Sequence, residues 1–113
     1  MKRKIPKEIE PILKEVKKTL KNIYGDNLKK IILYGSYARG EAVDGSDIDL
    51  IILLDDMEEY IKEREKYFPA IYELDLKYDT VISIFPFKKE EYQKRKMPII
   101  LNAKKEGILI WRK

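Results

Sequence analysis

The sequence predicts a small α/β domain, a mixed sheet with helices packed on it, in the order α-β-β-α-β-α-α-β. Three observations carry that expectation. Apolar residues recur at helical spacing near the start, and two strand-like stretches, 29–34 and 48–54, with apolar runs at 31–34 and 50–54, flank a glycine-containing polar segment. Helix-like and strand-like stretches then alternate to the end with no repeat, low-complexity tract or linker between them. The 113 residues are room for one domain, 1–113, able to bury roughly two-thirds of its unfolded surface.

Taken in order, Ile9, Ile12, Leu13, Val16, Leu20 and Ile23 mark a helix over 6–24 that Gly25 stops. Residues 29–34 read as a short buried strand ending at Gly35. The stretch 36–46 is a loop of glycine, small and charged residues that opens with a helical turn. Residues 48–54 are apolar on both faces and predict a central strand. Asp55 and Asp56 read as the N-cap region of a helix over 57–68, and Pro69 as the start of a second helical piece reaching Tyr78. A third strand spans 80–85 and is closed by Pro86. Helices over 88–96 and 98–106 follow, with Met97 and Pro98 at the bend between them, Gly107 after the second, and a last short strand at 108–111.

Composition removes whole classes of chemistry. There is no cysteine and no histidine, so disulfides, thiol nucleophiles, cysteine or histidine metal sites and serine–histidine mechanisms are all absent. Acid–base or metal chemistry must rest on carboxylates, lysine or tyrosine. Apolar residues at 44% argue against disorder, while charged residues at 39% describe a Lys/Glu-rich surface of the kind seen in heat-adapted proteins. The net charge of +4 admits an anionic partner, but the two signs are interspersed, which argues against RNA or DNA. The basic start, Met1 to Pro6, has no apolar segment behind it, and the longest apolar run is five residues, 50–54. A soluble, cytoplasmic protein is expected.

The chemistry sits in the stretch from Leu33 to Leu50. Asp47 and Asp49 open an otherwise apolar strand, although aspartate is depleted in strands. Alternation puts both on one face, where like charges repel, and a divalent cation between them reverses the sign of that cost. Read alone, the pair is a solvated strand end. Gly35-Ser36 follows a strand and opens a helical turn, a place where phosphate can approach backbone N–H groups and the serine hydroxyl. Arg39 can pair with phosphate or with Glu41. Asp79, expected at the entry to the third strand, reaches the same metal pair if that strand lies beside the second. Gly-Ser, ten residues, then Asp-x-Asp is a combination that a chain of this length meets by chance about once in a thousand.

These residues resemble the nucleotidyltransferase superfamily that includes DNA polymerase beta, and specifically its minimal nucleotidyltransferases. Ala38-Arg39-Gly40-Glu41 and Ser46 also suit that pattern. The resemblance implies a polymerase beta-like palm core over nearly the whole chain. It further implies that Gly35, Ser36, Arg39 and Ser46 bind nucleotide, and that Asp47, Asp49 and Asp79 hold two Mg²⁺ ions, with Asp75 as the alternative third carboxylate. The mechanism implied is two-metal transfer of AMP from ATP with release of pyrophosphate. One ion, shared by all three carboxylates, activates the attacking hydroxyl. The other clamps the triphosphate, and Asp79 is also a candidate to accept the hydroxyl proton.

Minimal members of the family pair with HEPN-domain toxins. The resemblance therefore implies an antitoxin of a type VII-like toxin–antitoxin pair that adenylylates a tyrosine of its partner. Two alternatives stay open: a non-catalytic antitoxin that neutralises by contact, and a small-molecule nucleotidyltransferase of the aminoglycoside-modifying kind. Tyr34 and Tyr37 flank the motif and can stack on adenine or pack in the core. Trp111 suits core packing or a sheet edge where a homodimer or a mixed complex forms.

Overall fold

The computed structural model describes residues 5–113; residues 1–4, part of the basic start, lie outside the described residues. A 3-10 turn (Lys7–Ile9) leads into α1 (Glu10–Tyr24), whose Pro11 sits in the first turn, where its missing N–H costs nothing. Its buried stripe is Ile12, Leu13, Val16, Leu20 and Tyr24, and the helix stops at Gly25. Then come β1 (Leu28–Tyr34), a single turn α2 (Ser36–Arg39) and β2 (Ile48–Leu54). The chain continues with α3 (Tyr60–Tyr78), β3 (Ile82–Lys88), α4 (Lys89–Lys94), α5 (Pro98–Glu106) and β4 (Ile108–Arg112).

The sheet runs β3-β2-β1-β4. β1 lies antiparallel to both β2 and β4, and β2 lies parallel to β3. A parallel pair needs a crossover, and α3 supplies it. As expected for a strand apolar on both faces, β2 is interior. Ile48, Leu50, Ile52 and Leu54 face the larger core with α1 and α3. Ile51 and Leu53 join Ile32, Tyr92, Ile100 and Ala103 on the opposite face, with residues of α4 and α5. Each fully buried Leu or Ile contributes on the order of 1.5–3 kcal/mol, so β2 anchors both layers. Trp111 is half-buried against the larger core, with the Lys21 ammonium 5.1 Å from its ring centre. No helix among the described residues is long and apolar enough to cross a membrane.

Three expectations are corrected. Pro69 does not open a second helix; it lies exposed inside the single 19-residue helix α3. The packing of Tyr67, Ile71 and Leu74 on both sides of it carries the helix through the missing bond. Asp55 and Asp56 do not cap that helix. Instead Asn27 Oδ1 accepts the Asp56 N–H at 2.8 Å and Asn27 Nδ2 donates to the Asp56 carbonyl at 2.8 Å, tying this loop to the start of β1. Pro86 does not close the third strand but pairs with Ile52 inside it. β3 is an edge strand, where one side of the backbone has no ladder and a proline is tolerated.

Candidate active site

The site is built where β1 ends and β2 begins, side by side. Tyr34, the last residue of β1, is the pairing partner of Asp49, near the start of β2. Between them the chain makes one helical turn and a loop. Gly35 takes φ 76°, ψ −155°, a conformation open to glycine and not to residues with a Cβ. A Cβ there would overlap the carboxylate of Asp49. The turn thus brings the backbone of Gly35-Ser36 directly against that carboxylate. The Ala38 and Arg39 N–H groups return to the Gly35 carbonyl at 3.1 Å each, closing the turn.

Ser46 shapes the returning loop: its hydroxyl accepts the Val43 N–H at 2.9 Å and its own N–H donates to the Val43 carbonyl at 3.0 Å. Asp47, just before β2, is exposed, and Asp49 is half-buried. Burial, and then the negative charge of Asp47, push the Asp49 carboxyl above the ordinary range, with the Arg39 guanidinium opposing them. The repulsion expected from the sequence is therefore present. Arg39 itself donates from Nε to Glu41 at 2.6 Å, and a second nitrogen lies 3.7 Å from Glu106, the last residue of α5.

Asp79 is not at a strand entry. It ends α3 in a left-handed conformation at φ 50°, three residues before β3. There it lines an open cleft of about 360 Å³ together with Tyr37, Asp44, Ser46, Thr80 and Val81. Asp75 accepts the Ile82 N–H at 2.9 Å, at the sheet edge. Its carboxyl is pushed up by burial, held down by that N–H and pushed up again by Asp47. Ser83, which no motif marks in the sequence, is placed beside Asp49 by the parallel register. Its only signal was a hydroxyl within the apolar run 82–85.

The donors test the expected cation directly. Asp47 and Asp49 suit a hard divalent ion: both supply oxygen, their mutual repulsion favours one, and the missing Cβ of Gly35 leaves the Asp49 carboxylate uncrowded. The third expected donor does not complete a set. Among the described residues no three acidic side chains gather in a way that could hold one ion.

A strand, a glycine-serine turn and a second strand with Asp47 just before it and Asp49 within it lie inside residues 13–109, which match the nucleotidyltransferase domain pattern. The chain belongs to that family. MJ0141 of Methanocaldococcus jannaschii, by name a candidate protein adenylyltransferase, is 43% identical over 82 residues, 73% of this chain and 82% of its own length. Protein adenylyltransferase MntA of Thermococcus cleftensis is 38% identical over 77 residues, 66% of this chain and 74% of its own. Among solved structures, the fold is similar to a chain of a toxin–antitoxin complex with AMP-PNP. That match has a TM-score of 0.67 and 20% identity, covering 89% of this chain and 73% of that one. It is also similar to a chain of the complex of tri-AMPylated Shewanella oneidensis HEPN toxin with its MNT antitoxin. There the TM-score is 0.60 at 18% identity, covering 89% and 70%.

Proposed function

We propose that this chain is the antitoxin of a toxin–antitoxin pair and transfers AMP from ATP to a tyrosine hydroxyl of a HEPN-domain toxin in the cytoplasm. One observation carries the reading: the Gly35-Ser36 turn is closed against the Asp49 carboxylate, so a glycine-serine backbone able to receive phosphate stands beside two carboxylates able to receive a cation. The names of the relatives at about 40% identity support adenylyl transfer to protein, and the toxin complexes support a HEPN partner.

In this reading Asp47 and Asp49 hold the cation or cations. Bound there, Mg²⁺ supplies positive charge against the triphosphate and the leaving pyrophosphate and lowers the pKa of the attacking hydroxyl. The Ser36 hydroxyl and the N–H groups of the turn hold phosphate oxygens. Arg39, which faces solvent, exchanges its contact with Glu41 for phosphate. Ser46 keeps the loop before Asp47 in shape. Tyr37 and Asp79 line the cleft through which the acceptor enters, and Asp79 takes the hydroxyl proton. The acceptor oxygen bonds to the α-phosphorus as the bond to the β-phosphate oxygen breaks, so AMP is transferred and pyrophosphate leaves.

The test is label transfer from α-labelled ATP with Mg²⁺ to the co-purified partner toxin, with Asp49→Ala as control. Label on the toxin and restored growth, both lost in Asp49→Ala, are expected. Full rescue by Asp49→Ala with no label would replace this reading with neutralisation by contact. Label confined to the small-molecule fraction would replace it with a small-molecule acceptor.

A further inference from the structure

We propose that Ser83 fills the third corner of the cation site, so that this chain holds the ion with two carboxylates and a neutral hydroxyl and acquires it together with nucleotide phosphates. The inference rests on the reading of Asp47 and Asp49 as cation ligands. Its own ground is the strand register. β2 and β3 pair in parallel with Asp49 opposite Ser83, and residues opposite one another in neighbouring strands project to the same face, about 4.8 Å apart. The same face of the β3 segment carries Val81 before Ser83 and Phe85 after it, so it presents no acid.

The nearby carboxylates are placed for other work. Asp75 is turned to the amide of Ile82, on the edge strand. Asp79 lies in the helix-ending turn against the cleft, and no acidic trio forms among the described residues. Ser83 is half-buried, and among the described residues its hydroxyl has no hydrogen-bond partner. It is free to serve as an oxygen donor.

A neutral third donor has a physical consequence. Mg²⁺ gives up its hydration water reluctantly and is bound well only where charge and oxygen number suffice. Two carboxylates and a hydroxyl supply less negative charge than three carboxylates. Free ion is then held weakly, and phosphate oxygens are needed to complete the shell. Such a site fills when nucleotide arrives and empties when pyrophosphate leaves.

The experiment measures Mn²⁺ binding to the full chain by the loss of the free-ion EPR signal, with and without a non-hydrolysable ATP analogue. The variants are Ser83→Asp, Ser83→Ala and Asp49→Ala, each checked for a cooperative thermal unfolding transition. Without nucleotide, Ser83→Asp should bind Mn²⁺ at least about tenfold more tightly than wild type, because it adds a full charge within a few ångströms of the ion. With the analogue bound the gap should narrow, and Ser83→Ala should weaken Mn²⁺ uptake several-fold at unchanged Tm. Wild type that binds free Mn²⁺ as tightly as a folded Ser83→Asp variant overturns the proposal. So does Ser83→Ala that matches wild type with the analogue present. If Asp49→Ala loses no Mn²⁺ at all, the reading of the aspartate pair itself fails, which is a separate result.

Discussion

Gly35 and Asp49 are in direct contact: the α-carbon of one lies so near the carboxylate of the other that no side chain fits between them. Gly35 stands at φ 76°, ψ −155°, where a Cβ is also strained by its own backbone. Gly35→Ala should therefore cost about 1–3 kcal/mol from strain alone, and displacing Asp49 should remove transfer activity. Thermal unfolding and label transfer on the same preparation check this, and wild-type values in both would show that the contact is dispensable.

Asp49, when ionised, works against folding. Burial and Asp47 raise its carboxyl pKa in the folded chain, so the folded state binds a proton more readily than the unfolded one. Above the folded pKa the ionised group penalises folding; as pH falls through that pKa, the folded state protonates first and the penalty disappears. In chelator at neutral pH, Asp49→Asn should melt a few degrees higher than wild type, with the gap closing toward acid pH and on adding divalent cation. A lower melting temperature at neutral pH would mean that the carboxylate stabilises the fold.

Glu63 is fully buried and ties three segments together. It accepts the Tyr24 hydroxyl at 3.1 Å and the Glu58 N–H at 2.7 Å, with the Lys66 ammonium at 3.3 Å. Glu63→Ala leaves the Tyr24 hydroxyl and the Glu58 N–H without this partner, while Lys66 keeps Glu58 at 3.5 Å, and should cost about 2–4 kcal/mol by denaturant titration, with Tyr24→Phe near 1 kcal/mol. A change below about 0.5 kcal/mol for Glu63→Ala would show that water replaces the carboxylate there.

Pro69 interrupts the hydrogen bonds of α3 without ending it. Pro69→Ala restores an N–H and a residue of high helix propensity at an exposed position, so stability should rise by about 1 kcal/mol with transfer unchanged. A loss of stability would indicate that the helix depends on a proline bend to pack against α1.

Asp79 can be tested without disturbing its backbone, because asparagine tolerates the left-handed conformation found there. If it receives the hydroxyl proton, Asp79→Asn should slow transfer by about a hundredfold or more while nucleotide affinity and Tm hold. An equal loss of nucleotide affinity would instead place Asp79 among the nucleotide ligands.

Much of this was legible from local chemistry. The boundaries of β2, the helical turn after Gly35 and the stripe of α1 follow from glycine, alternation and 3.6-residue periodicity, which act over a few residues. What local rules mislocated is instructive. Pro69 and Pro86 were expected to break elements, and both lie inside them. In each case the outcome depends on partners distant in sequence, the packing of α3 and the free edge of β3.

By itself, then, the sequence determined the fold class, the turn and the pair of aspartates, because each rests on residue identity at short spacing. Only the tertiary structure decided what stands next to that pair. Asp79 looked like the natural third donor because it precedes β3 in the chain. The register of β2 against β3 puts Ser83 opposite Asp49 instead, while the end of α3 holds Asp79 against the cleft. Register is set by the sum of long-range contacts across two apolar faces, and no short stretch of residues encodes it.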